Sequence, residues 1–213
     1  MPSSVDCIES ESFYKCGSLE SIDISNVQRI EDKAFMGCES LKEVNLLNKV
    51  YTGWDAFSQC NSLTTVKIPY GASICESFCD NRNLETVIMP SSAYISKGSF
   101  FDCPNLKSVY SFAENPDDLG PYGSYAFDIT MQVDYATLYV PRGCADRYRS
   151  SEQWSGFKHI VEFDTSGIDS VANSGSSVEV SRYSVNGKLL AAPAKGLNIV
   201  KYSDGTARKE MVK

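Results

Sequence analysis

The chain has 213 residues, and its 27 acidic side chains outnumber its 20 lysines and arginines, which gives a formal net charge of −7. This length indicates one long domain or two small ones. The acidic balance, without a basic block, argues against a nucleic-acid-binding protein, and no apolar run approaches the roughly 18 residues that a membrane-spanning helix needs.

The first four residues, Met1 to Ser4, are not typical of a secretion signal, because they contain neither a basic nor an apolar segment. The same Met-Pro-Ser-Ser sequence occurs at 89–92, where a predicted strand ends. We therefore expect the chain to begin in mid-repeat, as a fragment or processed form whose signal and further upstream repeats have been removed.

A regular repeat runs through the first half of the chain. Its phenylalanines follow one another at intervals of 22, 22, 21 and 22 residues: Phe13, Phe35, Phe57, Phe78 and Phe100. In the clearest copy, residues 30–46, an isoleucine precedes the phenylalanine, and a cysteine, a leucine, a valine and a leucine follow it. A fixed period in this range is typical of a solenoid, in which each repeat buries its apolar face against its neighbours.

Each repeat ends in a segment of the type Leu-x-x-Val-x-Ile, as in residues 41–46. The alternating apolar residues predict a short strand with one buried face. Strands of successive repeats can pair in parallel about 4.8 Å apart. Identical positions would then form columns, with the phenylalanines in an aromatic column and the leucines and valines in aliphatic ones.

Four of the eight cysteines occupy one position of the repeat, three residues after the phenylalanine: Cys16, Cys38, Cys60 and Cys103. Asn81 takes this position in the fourth copy. We expect a column of buried thiols that act as small hydrophobic groups, although adjacent members would come close enough to form disulfides. Cys75 and Cys79 have a weak metal-binding spacing without a second pair or a nearby histidine. We predict neither a metal nor a cofactor.

The repeat changes after residue 112, because Phe127 follows Phe100 by 27 residues. The extra residues fall in the stretch 114–125, whose proline, glycine and aspartate content predicts a surface loop. Its adjacent aspartates lack the several spaced oxygen ligands of a calcium site. We therefore predict a solvated loop.

A closing cap is predicted at about 137–163. It would consist of a last strand, a short helix, two aromatic residues and a final strand: 136–141, 142–151, Trp154, Phe157 and 158–163. A stack of repeats needs such a cap, since its last apolar surface would otherwise be exposed. The predicted solenoid with its cap spans 1–163.

Residues 164–177 are rich in glycine and serine and predict a flexible linker. Residues 178–213 predict a small all-β domain. Strand-like segments flank the Asn-Gly pair at 186–187, a strong signal for a two-residue hairpin turn, and the Asp-Gly pair at 204–205 supplies a second. A domain of this size has a marginal core.

The repeat pattern Ile-x4-Phe-x2-Cys-x2-Leu-x2-Val-x-Ile resembles the BspA-like leucine-rich repeats of bacterial surface proteins, over about residues 1–112 with a variant copy to about 141. This resemblance implies a leucine-rich-repeat right-handed solenoid with short parallel strands and little helix, of the α/β leucine-rich-repeat class. The small all-β C-terminal domain follows it. The resemblance does not imply an enzyme.

The C-terminal segment resembles the sorting domains of proteins secreted by Bacteroidetes-type bacteria. The matching stretches are 183–189, 195–200 and 209–213, although the chain ends in Met-Val-Lys rather than in a long aliphatic strand. The resemblance implies export. We therefore expect an extracellular or cell-surface location.

Catalytic motifs are missing from the sequence. The single histidine, His159, lies in the predicted closing strand, and no motif brings it near a serine or cysteine nucleophile. A phosphate-binding glycine-rich loop and the HExxH and GxSxG motifs are also missing. We predict a protein without enzymatic activity.

A binding face follows from the alternation of side chains along a strand, since the residues between the inward-facing ones point outward. This rule gives an outward column that changes from polar to apolar, with Phe112 beside it. Exposed apolar residues of this kind mark an interaction site. The candidate partner-binding residues are Asn45, Lys67, Ile88, Tyr110, Phe112 and Tyr139. The alternative is that the 114–125 loop or the C-terminal domain packs on this surface.

These features predict an exported, non-catalytic leucine-rich-repeat protein that binds another protein. The family implies adhesion to a host matrix or cell-surface protein. A structural spacer that presents another module is one alternative. A glycan-binding accessory module, in which the aromatic residues stack on sugars, is another.

Overall fold

The computed structural model describes these residues of the chain: 4–127, 132–165, 179–184, 189–190, 193, 195–202 and 207–212. The chain divides into two compact units, Met1–Thr165 and Ser166–Lys213. In the first unit, short parallel strands of successive repeats form two sheets, and the described helices are few and short. This arrangement is consistent with a leucine-rich-repeat solenoid.

The first sheet consists of two-residue strands, one from each repeat: β1 (Cys7–Ile8), β2 (Arg29–Ile30), β3 (Tyr51–Thr52), β5 (Ser73–Ile74) and β7 (Tyr94–Ile95). They pair in parallel in the order β1-β2-β3-β5-β7. The second residue of each strand is buried. No strand was predicted here, because a two-residue strand is too short to show an alternating pattern.

The second sheet is built from longer strands: β4 (Thr65–Lys67), β6 (Thr86–Met89), β8 (Ser108–Ser111), β9 (Thr137–Pro141) and β10 (His159–Phe163). They pair in parallel in the order β10-β9-β8-β6-β4. The prediction of a strand at the end of each repeat is wrong for the first two repeats, since neither 19–24 nor 41–46 is a strand. Their outward positions carry Asp23, Glu43 and Asn45, which are poor strand formers, whereas the later repeats carry threonine and tyrosine.

The phenylalanine column forms the centre of the first unit. Adjacent rings stack nearly parallel from Phe13 to Phe127, with centroid distances of 4.9, 5.1, 5.1, 5.8 and 5.2 Å and interplanar angles of 3–15°. Phe35, Phe57, Phe78 and Phe100 are fully buried, while Phe13 at the end of the column is half-buried. Each internal ring therefore packs between two others, which fixes the register of neighbouring repeats.

The thiols of the cysteine column bond to the backbone of this aromatic column. Cys38, Cys60 and Cys103 are buried and donate to the carbonyls of Phe13, Phe35 and Phe78, at sulfur–oxygen distances of 3.2, 3.3 and 3.4 Å. All eight cysteines are free thiols. Cys16 is exposed, so the prediction of a buried thiol is wrong at this position, because a repeat covers Cys16 on one side only.

Asn81 performs the same role in the fourth repeat. Its Nδ2 donates to the carbonyls of Phe57 and Phe78, both at 2.9 Å, and Asn81 is fully buried. Its Oδ1 is buried without a hydrogen-bond partner. The amide thus preserves the bond to the phenylalanine column but leaves one buried acceptor unsatisfied, which costs stability.

The predicted loop at 114–125 forms two short 3₁₀ helices, Pro116–Leu119 and Gly123–Ala126. Pro116 and Leu119 are buried, so the prediction of a solvated loop is wrong at these residues. The backbone N–H groups of Gly98 and Phe100 donate to the carbonyls of residues 125 and 126, at 2.9 and 2.7 Å. The stretch therefore continues the stack of repeats, and its proline and glycine content reflects tight turns.

The last repeat is covered by buried aromatic residues. Two helices, α1 (Gln132–Tyr135) and α2 (Ala145–Ser150), flank β9. Tyr148 on α2 packs edge-to-face on Trp154, which stacks on Phe157. The Tyr148 hydroxyl lies 2.6 Å from the Ser111 hydroxyl and donates to the carbonyl of Ala113 at 2.9 Å. These bonds attach α2 to the end of β8.

Among its described residues, the second unit has four strands: β11 (Glu179–Ser184), β12 (Leu189–Leu190), β13 (Gly196–Tyr202) and β14 (Ala207–Val212). They pair antiparallel in the order β12-β11-β13-β14. The buried Arg182 guanidinium donates to Asn198 Oδ1 at 3.3 Å. The predicted turns at 186–187 and 204–205, and the predicted linker from residue 166 onward, lie outside the described residues.

The position of each ring in the phenylalanine column predicts its contribution to stability. We expect Phe57→Ala to lower the free energy of unfolding of the first unit by about 3–5 kcal/mol, since the buried ring would leave a cavity between two others. We expect a smaller loss for Phe13→Ala, because this half-buried ring has one neighbour in the column. Urea denaturation followed by circular dichroism measures both losses. Equal losses would contradict this account of the column.

The hydrogen bonds of Asn81 predict the effect of restoring the repeat consensus. We expect Asn81→Cys to raise the free energy of unfolding by about 1 kcal/mol, because a thiol keeps a donor for Phe57 and removes the unsatisfied Oδ1. The control Asn81→Ala removes the donor as well and should be less stable than Asn81→Cys. A cysteine variant less stable than the wild type in urea denaturation would show that the Oδ1 is not destabilising.

Candidate binding face on the second sheet

The outward side chains of the second sheet form rows across the repeats. Lys67 pairs with Ile88, Ile88 with Tyr110, Tyr110 with Tyr139, and Tyr139 with Val161. This register places four of the six candidate residues next to one another. Asn45 lies in the second repeat, outside the sheet, and Phe112 directly follows β8.

Exposure differs along this row. Asn45 is exposed, while Lys67, Tyr110, Phe112 and Tyr139 are half-buried. Ile88 is only 4% exposed, so the prediction of an exposed Ile88 is wrong. Its register neighbours are Lys67 and Tyr110, whose longer side chains flank it. The buried Ile88 therefore separates Lys67 from the accessible aromatic part of the row, which begins at Tyr110.

Four aromatic side chains, Tyr110, Phe112, Tyr139 and Phe163, form one group, which we call the aromatic cluster. The rings of Tyr110 and Tyr139 stack with a centroid distance of 4.5 Å and an interplanar angle of 10°. Phe163 packs edge-to-face on Tyr110 at 5.8 Å and on Phe112 at 5.3 Å. Such pairs stabilise each other beyond the area they bury, so the cluster presents a preorganised surface.

Sequence reasoning missed Phe163. Its strand was predicted at 158–163, and residues 159, 161 and 163 share one face because side chains alternate. Extending the outward rows by one more strand would therefore have included it. Val161, two residues before Phe163 and on the same face of β10, is 46% exposed. Its side chain extends the apolar surface to the edge of the sheet.

A row of hydroxyl groups runs beside the cluster, on the same face of the sheet. Register pairs Thr65 with Thr86, Thr86 with Ser108, and Ser108 with Thr137. All four residues are half-buried. The aromatic cluster is therefore bordered by polar groups that can donate and accept hydrogen bonds.

The Tyr110 hydroxyl links the cluster to this row. Burial raises the pKa of Tyr110, the neighbouring Tyr139 contributes in the same direction, and a hydrogen bond with Ser108 acts in the opposite direction. The phenol is therefore neutral at physiological pH. It can offer a hydrogen bond to a ligand while its ring supplies apolar contact area.

The groups that the sequence analysis considered for chemistry lie elsewhere. His159 is exposed at the start of β10, opposite Thr137. Cys79 lies 3.0 Å from Asp55 Oδ1 and 3.3 Å from the Ser58 hydroxyl, and burial raises the pKa of its thiol to about 12. A thiol with this pKa is almost fully protonated at neutral pH and is a poor nucleophile.

Among the residues that the structure describes, His, Cys, Asp and Glu side chains form no group of three or more suited to a metal ion. No helix within the described ranges has both the length and the apolar character required to cross a bilayer.

Comparison with known proteins adds one finding. Residues 6–134 match the family model of the BspA type leucine-rich repeat region, in six copies. The match covers more than half of the chain and includes all the phenylalanines of the column. No curated protein matches the chain significantly.

Burial predicts which cysteines react. Burial raises the pKa of both Cys60 and Cys103 to about 12, so only about 10⁻⁴ of each thiol is ionised at pH 8. We expect iodoacetamide at pH 8 to label the exposed Cys16 at least tenfold faster than either. Mass spectrometry of tryptic peptides measures the rates, and the urea-denatured protein is the control. Comparable rates in the folded protein would contradict the buried column.

Proposed function

The chain belongs to the BspA-type leucine-rich-repeat family, and on this premise we propose that it is an exported, non-catalytic protein that binds a partner protein through the aromatic cluster. Members of this family are typically surface modules for protein–protein interaction, and their repeats generally bind rather than catalyse. The proposed use is adhesion to a host matrix or cell-surface protein.

The observation that carries the proposal is the composition of the aromatic cluster and its surroundings. Tyr110 and Tyr139 stack on each other and stay half-buried, so their rings are held rigidly but remain accessible. Buried aromatic anchors bordered by polar groups are typical of the residues that dominate protein–protein binding energies. The hydroxyl row from Thr65 to Thr137 supplies the polar border.

The polar part of the outward surface lies in the earlier repeats. Asn45 and Lys67 precede the apolar residues along the stacking direction, and Asn45 is exposed. In the proposed complex they lie at the rim, where residues affect specificity and association rate more than affinity. Tyr110, Phe112 and Tyr139 are the proposed anchors, with Phe163 supporting two of them.

Export is proposed from the C-terminal segment. The described strands β11 to β14 lie within the segment that resembles a sorting domain, and the family is commonly found at the cell surface or outside the cell. In this proposal residues 1–163 bind the partner, and residues 178–213 direct secretion. The segment 164–177 joins them.

The proposal predicts the effect of removing the anchors. We expect Tyr110→Ala/Tyr139→Ala to weaken binding to a purified matrix protein at least 30-fold, which corresponds to about 2 kcal/mol. Surface plasmon resonance against a panel of immobilised matrix proteins measures the affinity. Circular dichroism and thermal denaturation check that the variant is folded.

A matched control is available on the opposite sheet. Tyr51 of β3 is also half-buried, at an outward position of the first sheet, so Tyr51→Ala removes a tyrosine of similar exposure. The Tyr51→Ala variant should bind the matrix protein with the same affinity as the wild type. If both variants bind equally well, the aromatic cluster is not the site. If the wild type binds no matrix protein, a spacer role is favoured instead.

A further inference from the structure

A shallow polar groove with a volume of about 450 Å³ lies across the second to fifth repeats. Its lining includes Lys42, Thr64 and Glu85, which occupy the same position in three successive repeats, and Thr64 and Glu85 directly precede β4 and β6. The aromatic cluster contributes no residue to it. Any ligand of this groove is therefore independent of the proposed partner site.

The groove opens where one repeat carries a short side chain. At this repeat position, Lys42 Nζ pairs with Glu20 Oε2 at 2.6 Å, and Lys107 Nζ pairs with Glu85 Oε1 at 2.5 Å. Thr64 holds the same position between these two ion pairs. It is too short to reach either of them, so a gap remains.

The backbone hydrogen bonding is also interrupted at this point. The N–H groups of Lys42, Glu85 and Lys107 each donate to the carbonyl of the preceding repeat, at 3.1, 2.9 and 2.9 Å. Within the described repeats, no corresponding backbone bond joins Thr64 to Lys42. The second and third repeats therefore lack, at the floor of the groove, the backbone hydrogen bond that joins neighbouring repeats on either side of it.

One wall of the groove consists of asparagine side chains in fixed orientations. Asn83 Nδ2 donates to the carbonyl of Asn61, and Asn105 Nδ2 to the carbonyl of Arg82, both at 2.8 Å. Asn61 Oδ1 in turn accepts from the N–H of Arg82 at 3.2 Å. Because each amide nitrogen is held by the preceding repeat, the exposed Oδ1 atoms of Asn83 and Asn105 form a preorganised row of acceptors.

The chemistry of this groove selects a class of ligand. Its lysine and glutamate are each paired with an opposite charge, so a phosphate or another anion finds no uncompensated cation. It has no aromatic or large aliphatic lining to anchor a peptide side chain. The groove presents amide oxygens, hydroxyl groups and an ion pair on each side. These groups can donate hydrogen bonds to, and accept them from, the hydroxyl groups of a neutral ligand.

We propose that this groove is a subsite for a neutral, extended glycan that lies along the stacking direction. Adjacent phenylalanine rings, at 4.9 and 5.1 Å, give the step from one repeat to the next, and successive sugars of an extended glycan follow one another at a similar spacing. Each sugar would then meet one repeat. The Oδ1 atoms of Asn83 and Asn105 accept from sugar hydroxyl groups, and Thr64 forms the floor.

The test is binding of neutral hexasaccharides to the full chain by isothermal titration calorimetry. The probes are the β-1,4-glucan, β-1,3-glucan, α-1,4-glucan and β-1,4-mannan hexasaccharides, with a sulfated glycosaminoglycan hexasaccharide as the anionic control. We expect at least one neutral probe to bind with an affinity that is unchanged between low and high salt. If no neutral probe binds, or if only the sulfated probe binds, the proposal is wrong.

Variants then locate the bound glycan. Thr64→Arg fills the groove and should weaken binding at least tenfold, while Thr64→Ser keeps the gap and a hydroxyl and should bind within twofold of the wild type. Asn105→Ala removes one acceptor and should weaken binding severalfold. Thermal denaturation confirms that each variant is folded. Undiminished binding by Thr64→Arg, or loss of binding in Tyr139→Ala, would place the glycan elsewhere and overturn the proposal.

Discussion

The stacking of one phenylalanine ring per repeat is the constraint on which the first unit depends. Rings overlap only if neighbouring repeats keep one register, and the donors at Cys38, Cys60, Asn81 and Cys103 fix that register a second time through the phenylalanine carbonyls. The fourth repeat is one residue short, yet the Phe57 and Phe78 rings remain 5.1 Å apart. The chain therefore absorbs a deletion outside the column rather than within it.

The register of the core also fixes the arrangement of the outward side chains. Each core position stacks on the same position of the next repeat, so each outward position also forms a row across the repeats. A different residue in one repeat therefore changes the chemistry of that row at one place. In the later repeats the row from Ile88 to Val161 becomes aromatic and apolar. In the middle repeats Thr64 interrupts a row of ion pairs and opens a polar groove. One scaffold thus presents two surfaces of different chemistry.

The end of the stack uses a different kind of contact. Tyr148, Trp154 and Phe157 pack on the last repeat without following its period, and the Tyr148 hydroxyl bonds to the end of β8. Strand β10 also carries Phe163, whose ring packs edge-to-face on Tyr110 and Phe112 within the aromatic cluster. The element that covers the core therefore also completes the candidate binding face.

The sequence by itself determined the repeat, its period and the residues of the core column, because a stacked array needs the same apolar side chain at the same place in every copy. The alternation of side chains along each strand also predicted the outward row from Lys67 to Tyr139. Only the tertiary structure decided that Ile88 is covered, that Phe163 joins the cluster and that 114–125 continues the stack. These outcomes depend on contacts between residues far apart in the chain, such as Phe112 with Phe163, and on side-chain lengths in neighbouring repeats, which no local pattern encodes.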